Sequence, residues 1–180
     1  MNRFYTSDLH FGHANIIKYC NRPFENADDM NEALVKNWND KISYEDEVFI
    51  LGDVFFTSLK VATELMIRLN GKKYLILGNH DKLIRKNHTL YSMFNRVYPD
   101  LYSENYDGIF TVMCHFPLLS WERQNYGSFM LHGHTHGGIK FDNKTRRLDV
   151  GVDTNNMMPY EWSEIKRKLG NIIHKKDYEA

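Results

Sequence analysis

Two histidines separated by a single residue lie in the fragment Gly133-His134-Thr135-His136, directly after an apolar run. Neutral imidazole is a good ligand for borderline divalent ions, and a glycine-led turn can direct two such rings to one side. Four further polar fragments also follow apolar runs: Ser7-Asp8-Leu9-His10, Gly52-Asp53, Gly78-Asn79-His80-Asp81 and His115. If these fragments meet at one edge, their carboxylates and imidazoles could bind two ions. The leading hypothesis is therefore a hydrolase with a dinuclear metal centre.

The elements that must position these fragments are visible in the first half of the chain. Residues 48–51 and 74–77 are continuous apolar runs that end at glycine, as expected for strands buried on both faces. Between them Val61, Leu65 and Leu69 recur every four positions, which predicts a crossover helix. Strand, helix and strand in this order favour a parallel sheet, whose ligand sites collect at the carboxyl ends of the strands. The loops after the two strands are then expected to be neighbours.

The second half of the chain has a different pattern, in which strand follows strand. Asp107-Gly108 is a good tight-turn dipeptide and predicts a hairpin over residues 102–113. A second hairpin is expected to turn at 142–144 before a last strand at 148–152. A closing helix is predicted over 159–169, with Pro159 in its first turn.

Composition sets the limits of these hypotheses. The 180 residues, 42% of them apolar, are enough for one domain that spans 1–180. The 23 Lys and Arg balance the 23 Asp and Glu, which argues against an extended surface for nucleic acid or membrane. Cys20 and Cys114 form no CxxC pair and are interpreted as packed thiols in a reducing compartment. Without an apolar signal region or a long apolar run, a cytoplasmic protein is expected, and the charged segment 175–180 is expected to fray.

Taken together, the ordered fragments resemble the motif blocks of the calcineurin-like metallophosphoesterase superfamily, in the form of its small bacterial and phage-type members. All five blocks of that pattern occur in order between Asp8 and His136. One Asp-x-His or Gly-Asp is a weak signal, whereas an ordered series, each after an apolar run, rarely arises by chance. The resemblance implies an α/β (α+β) fold, a four-layer αββα sandwich in which two mixed β-sheets are flanked by helices.

The resemblance also implies a set of metal ligands. They are Asp8, His10 and His136 for one ion and Asn79, His115 and His134 for the other, with Asp53 as the bridge. A hydroxide shared by the two ions, its pKa lowered toward neutrality, would attack phosphorus. Manganese is the expected metal, with iron, nickel and zinc as alternatives, because such ligand sets accept several first-row ions.

Other site residues have less specific signals. In the family the histidine of the third block contacts phosphate and protonates the leaving oxygen, and the next acidic residue orients its ring; here these are His80 and Asp81, with Asn79 beside the phosphate. His13 could reach phosphate, although an ordinary loop histidine explains it nearly as well. Arg22 could bind phosphate through its planar guanidinium, but an exposed arginine is the simpler interpretation, because no spacing rule fixes it.

The substrate class is narrowed by departures from family patterns. The protein phosphatases continue the second block with Asp-Arg-Gly, whereas Val54 follows here, and the chain is too short for the added domains of the DNA-repair nucleases. A phosphodiester carries one negative charge and needs a protonated leaving group, which His80 could supply; a monoester would call for more cations. A phosphodiesterase acting on a small phosphodiester or nucleotide is expected.

Two alternatives stay open. One is a phosphomonoesterase that uses the same metals. The other is a metal-binding scaffold module without turnover, against which the intact His80-Asp81 pair argues.

Overall fold

The computed structural model describes residues 1–173, so the segment 175–180 that is expected to fray lies outside the described residues. The strands are β1 (Arg3–Thr6), β2 (Glu47–Ile50), β3 (Lys72–Ile76), β4 (Arg96–Tyr98), β5 (Leu101–Tyr106), β6 (Ile109–Cys114), β7 (Phe129–His132), β8 (Arg147–Asp149) and β9 (Tyr160–Glu161). The helices are α1 (Ala14–Tyr19), α2 (Ala27–Lys41), α3 (Leu59–Arg68), α4 (Lys82–Lys86), α5 (His88–Tyr91) and α6 (Trp162–Leu169). Single 3₁₀ turns occupy Gln124–Tyr126 and Val152–Thr154.

The first sheet has the strand order β4-β3-β2-β1-β9. Its strands β1 to β4 are parallel, and β9 is antiparallel to β1. The helix predicted between the two glycine-ended strands is α3, which connects β2 to β3 as a crossover. Because β1, β2 and β3 run in the same direction, the polar fragments that follow them emerge at one edge of the sheet.

The second sheet has the order β5-β6-β7-β8. Strands β5 and β6 form the predicted hairpin, in which Asp107 and Gly108 both have the positive φ that a tight turn requires. The second predicted hairpin is wrong, because β7 and β8 pair in parallel and residues 133–146 cross over between them. The Asp142 carboxylate accepts the Lys144 N–H at 3.0 Å, so the turn signal there marks a local bend in the crossover.

The two sheets share one apolar layer. Tyr5 and Phe49 of the first sheet pack with Phe129 and Leu131 of the second, and α6 adds Trp162 to the same cluster. Helices α2 to α5 cover the other face of the first sheet, where Trp38 is the largest fully buried side chain. The outer face of the second sheet is covered by the segment that carries Trp121 and one 3₁₀ turn.

The closing helix begins later than predicted. Tyr160 and Glu161 pair with β1 as strand β9, and α6 starts only at Trp162. A reciprocal pair of hydrogen bonds between Glu161 and Glu164 caps the helix and fixes this start. The predicted architecture of two mixed sheets with flanking helices is otherwise confirmed. Within residues 1–173, none of the helices has the length and apolar character that crossing a bilayer requires.

Candidate metal centre

Loops that follow neighbouring parallel strands are joined by backbone hydrogen bonds at the carboxyl edge of the first sheet. The Asp8 N–H donates to the Gly52 carbonyl at 3.0 Å, and the His10 N–H donates to the Asp53 carbonyl at 3.0 Å. The fragment after β1 therefore continues beside the fragment after β2 beyond the regular strands. The expected neighbourhood of these loops is present, and it holds Asp8, His10 and Asp53 in one cluster.

The second sheet supplies ligands to the same cluster through a close contact at Gly133. The His134 N–H donates to Asp8 Oδ2 at 2.9 Å, which joins the loop after β7 to the loop after β1. A Cβ at Gly133 would overlap Ser7 Oγ and Asp8 Oδ2, so only glycine permits this approach. Position 133 must therefore be glycine, because the loop after β1 leaves no room for a side chain there.

Five predicted ligands have left-handed backbone conformations. Their φ angles are +56° at Asp8, +51° at His10, +57° at Asp53, +67° at His134 and +48° at His136. Such values are uncommon for residues other than glycine and cost on the order of 1–3 kcal/mol each. The strain is concentrated where the chain must turn side chains inward, which is typical of a functional site.

Ring nitrogens of three histidines converge on two carboxylate oxygens. Asp8 Oδ1 lies 3.8 Å from His10 Nε2 and 3.9 Å from His136 Nε2. Asp53 Oδ2 lies 3.7 Å from His10 Nε2 and 3.5 Å from His115 Nε2. These separations are too long for hydrogen bonds, but two donors that each lie about 2.0–2.2 Å from one ion are separated by this range. Oxygen and nitrogen atoms thus stand at the spacing of metal ligands.

In each of these three histidines the other ring nitrogen, Nδ1, also has a polar neighbour. Nδ1 of His115 lies 2.7 Å from the Leu51 carbonyl, and Nδ1 of His136 lies 2.7 Å from Asp153 Oδ2. Both oxygens can only accept, so each Nδ1 carries the proton, and in the neutral ring each Nε2 presents a lone pair. Nδ1 of His10 lies 3.2 Å from Nδ1 of His13, which places His13 behind His10 in the same way.

Unpartnered polar atoms at the centre fit a bound cation. Asp8 Oδ1 and His10 Nε2 are buried and have no hydrogen-bond partner among residues 1–173. Buried atoms left in this state cost about 1–3 kcal/mol each, whereas a divalent ion would bind both. Burial opposes ionisation of Asp8, but the positive charge that His10, His136 and His115 carry when protonated outweighs it and lowers the pKa of Asp8. The carboxylate form that a metal requires is therefore favoured.

The second ligand group is more open than the first. Asn79 Oδ1 lies 2.9 Å from His115 Nε2, so two lone pairs face each other, an arrangement that a shared cation stabilises. The His134 ring centroid lies 5.1 Å from that of His115, and His134 is exposed. Partial burial and the neighbouring His115 lower the pKa of His134, which favours its neutral, ligating form.

Asp53 lies between the two ligand groups and faces both of them with a single carboxylate oxygen. Oδ2 faces His10 and His115, one histidine from each predicted ligand set. Oδ1 accepts the His80 N–H at 2.9 Å. The position of Asp53 suits the predicted bridge, but one of its carboxylate oxygens makes the contact rather than both.

Asp81 has a different role from the one predicted. Its Oδ2 accepts the N–H groups of Gly78 and Asp53 at 2.8 and 3.0 Å, and its Oδ1 accepts the Val54 N–H at 2.9 Å. No hydrogen bond joins Asp81 to the His80 ring within the described part of the chain. The prediction that it orients this ring is corrected, because both oxygens bind the backbone and fix the loops after β2 and β3 to each other.

Both interpretations of Arg22 are also corrected. The side chain is fully buried, and its Nε and Nη2 each donate to Asp153 at 2.8 Å. The guanidinium also donates to the carbonyls of Asp8 and Leu9 at 2.8 and 3.0 Å. It is neither exposed nor free to bind phosphate. Arg22 instead fixes Asp153, and Asp153 in turn fixes His136.

The buried hydrogen bonds that link Arg22, Asp153 and His136 keep Asp153 ionised. Burial would raise the pKa of Asp153, but its hydrogen bonds with His136 and Arg22 outweigh burial and lower it. Cys20 lies beside Asp153 and His136 in a third group of possible ligands. Burial and the nearby Asp153 charge raise the pKa of the Cys20 thiol to about 11, which agrees with its interpretation as a packed thiol.

One side chain at the mouth of the site was missed from the sequence. The Phe56 ring stacks on His13 with centroids 4.2 Å apart, and its centroid lies 4.8 Å from those of His10 and His80. Phe56 thus packs against three imidazoles and limits their movement. An apolar residue in an apolar segment carries no signal of such a role.

The first prediction concerns the support of His136. We expect Asp153→Asn to weaken manganese binding by about 10- to 100-fold, because a carboxylate behind a metal-binding imidazole orients the ring and raises its basicity. Dissociation constants from metal titration measure the effect. Asp40→Asn, an exposed site on α2, is the control, and unchanged affinity in Asp153→Asn would contradict the assignment.

The second prediction concerns Asp81. Asp81→Asn keeps the shape but turns a donor amide toward backbone N–H groups, so we expect the free energy of unfolding to fall by about 1–3 kcal/mol. Urea denaturation measures this change, with Asp40→Asn again as the control. Unchanged stability together with lost turnover would instead restore the predicted ring-orienting role.

Comparisons with known proteins agree with the arrangement of the site. The family model described as calcineurin-like phosphoesterase matches residues 1–174. An uncharacterized protein of Methanocaldococcus jannaschii is 38% identical over 160 residues, which cover 85% of this chain and 82% of that protein. The Gene 66 protein of Mycobacterium phage L5 is 29% identical over 183 residues, covering 84% and 86% of the two chains.

A solved structure has the same fold. The crystal structure of a protein of unknown function from Aquifex aeolicus matches with a TM-score of 0.73 and 20% identity, over 92% of this chain and 98% of the other. At this identity the likeness shows the fold alone. With the family match across nearly the whole described chain, the conclusion is that this protein belongs to the calcineurin-like phosphoesterase family, whose members use divalent metals to hydrolyse phosphoesters.

Proposed function

We propose that this phosphoesterase is a dinuclear metal-dependent phosphodiesterase that acts on a small phosphodiester or nucleotide. The observation that carries the proposal is the position of Asp53 Oδ2, 3.7 Å from His10 Nε2 and 3.5 Å from His115 Nε2. One carboxylate oxygen thus faces histidines that belong to two ligand groups. A centre for a single ion would not need both.

The residues that would hold the two ions are Asp8, His10 and His136 on one side, Asn79, His115 and His134 on the other, and Asp53 between them. Manganese is the proposed metal, and the same donors suit iron, nickel or zinc. When bound, such ions neutralise charge on a phosphoryl group and make water more acidic. The chain's own contribution is to fix the donors before substrate arrives.

His80 is the proposed general acid. It is exposed at the mouth, while its backbone N–H is anchored to Asp53 Oδ1, so the ring stands beside the centre without being part of it. Phe56 packs against the ring and limits its movement. From this position the imidazole can donate a proton to the leaving oxygen of a phosphodiester.

The preference for a diester is supported by the charges at the mouth. Among the residues that line the mouth on the side of His10, His80 and His136, Lys140 is the single Lys or Arg. His13 also lines the mouth and is proposed to contact the substrate. A monoester dianion would be better neutralised by several cationic side chains, whereas a diester monoanion needs fewer.

Hydrolysis of bis(p-nitrophenyl) phosphate beside p-nitrophenyl phosphate tests the proposal. For chelator-stripped protein reloaded with manganese, we expect metal-dependent turnover with a higher kcat/KM for the diester. A preference for the monoester would instead support a phosphomonoesterase. Two bound ions without turnover of either compound would indicate a metal-binding scaffold.

His80→Ala tests the proposed acid. We expect the variant to retain the metal content of the wild type but to lose about 10²- to 10⁴-fold in turnover, as typical for a general acid. Elemental analysis and diester kinetics measure the two effects separately. His88→Ala, an exposed histidine on α5, is the matched control. Loss of metal from His80→Ala would show that His80 is a ligand.

A further inference from the structure

A second cavity lies behind the metal centre, at the β8 edge of the second sheet. It has a volume of about 330 Å³, is open to solvent on one side, and is lined by the crossover after β7, by β8 and by α6. Three residues, His136, Gly137 and Lys140, line both this cavity and the mouth of the metal centre. The rim from His136 to Lys140 is therefore the border between the two.

The His136 ring separates the metal centre from the second cavity. Its Nε2 is directed toward Asp8 in the metal centre, and its Nδ1 is directed toward Asp153, which lines the second cavity. The cavity thus begins about one imidazole ring away from the ligands. A ligand long enough to cross the rim at Gly137 and Lys140 would occupy both spaces.

The cavity has cationic side chains with free donors. Lys140, Arg147 and Lys168 line it, and none of them forms an ion pair with a carboxylate within residues 1–173. Arg147 uses one N–H, which donates to the Leu118 carbonyl at 2.9 Å. The remaining donors are available to an anion.

Three carboxylates line the cavity, and two of them, Asp149 and Asp153, have both oxygens occupied by donors. Asp153 accepts from Arg22 and His136, as described above. Asp149 accepts from the Thr135 hydroxyl and from the N–H groups of Gly137 and Gly151 at 2.7 to 3.0 Å. Asp142 accepts from its own turn through Oδ1 alone, and its Oδ2 has no donor among the described residues. The cavity therefore presents unused donors on three cationic side chains against one unused carboxylate oxygen.

A buried imidazole adds one acceptor. His132 is only 1% exposed and lines the cavity. Its Nδ1 lies 2.9 Å from the Gly133 carbonyl and so carries the proton, which leaves a lone pair on Nε2. Nε2 has no hydrogen-bond partner among the described residues. A hydroxyl group on the ligand would satisfy it.

The aromatic side chains beside these groups favour an organic ligand over an inorganic ion. Phe141 and Tyr160 line the cavity, and Lys168 Nζ lies 6.0 Å from the centroid of each ring. Phe141 is 42% exposed and offers an open ring face. Cations, a hydroxyl acceptor and ring faces together match a phosphorylated sugar with an attached flat group.

We propose that this cavity binds a second phosphate, with its sugar, of a substrate whose first phosphate lies at the metals. The substrate class is then a nucleotide phosphodiester that carries a further phosphate, as in an oligonucleotide end, and not an isolated diester. This inference rests on the proposed function, because it assumes that a phosphoester occupies the metal centre.

The test compares adenosine 3′,5′-bisphosphate with adenosine 5′-monophosphate in calorimetric titrations of the manganese-loaded protein. Both provide one phosphate for the metals, but only the first provides another for the cavity. We expect the bisphosphate to bind about tenfold more tightly, as expected for one added charge-assisted contact. In Lys168→Ala this preference should fall to nearly one. Arg167→Ala, the neighbouring exposed cation on α6 that does not line the cavity, should keep it.

Equal binding of the two nucleotides by the wild type, or a preference that survives Lys168→Ala, would overturn the inference. Failure of the proposed function has a different signature. Release of inorganic phosphate from either nucleotide, measured in the same samples, would indicate a phosphomonoesterase, while the comparison of initial binding would still decide whether the cavity is used.

Discussion

The structure depends on a set of inward lone pairs that a bound cation would satisfy together. Asp8 Oδ1 and His10 Nε2 are buried with no hydrogen-bond partner in residues 1–173, and the lone pairs of His115 Nε2 and Asn79 Oδ1 face each other at 2.9 Å. Each arrangement is unfavourable by itself in a protein interior. The folded cluster is therefore arranged to bind a positive charge. The chain contributes preorganisation, and bound metal would contribute the stabilisation that makes the arrangement favourable.

The surrounding structure serves to hold these lone pairs in place. Parallel strands from both sheets deliver the loops to one edge, and left-handed backbone at five ligands turns their side chains inward. Three of the four histidine rings are held by their other nitrogen: His115 by the Leu51 carbonyl, His136 by Asp153, and His10 by the ring of His13. Arg22 and Asp81 act one step further out, since one fixes Asp153 and the other ties two loops together. Rigid support of this kind is what a metal centre requires to select geometry.

The sequence predicted which side chains meet at this edge, because strand ends leave a clear local pattern; their role as metal ligands stays a prediction. An apolar run that stops at glycine, followed by Asp or Asn and His, identifies both the strand and the side chain that leaves it. The supporting residues had no such pattern. Arg22 and Asp153 are 131 positions apart, and nothing near either residue indicates the other. Asp81 was misassigned because adjacency to His80 in sequence does not determine where a carboxylate points. The parallel pairing of β7 and β8 was missed because a turn signal in a long crossover looks like one in a hairpin.

The most direct test of the account is anomalous diffraction at the manganese edge from crystals of the metal-loaded protein. The account predicts two peaks, one in contact with His10 and His136 and the other with His115 and Asn79, and both in contact with Asp53 Oδ2. A single peak, or a peak at the neighbouring group of Cys20, His136 and Asp153, would contradict a dinuclear centre built on the lone pairs of Asp8 and Asp53.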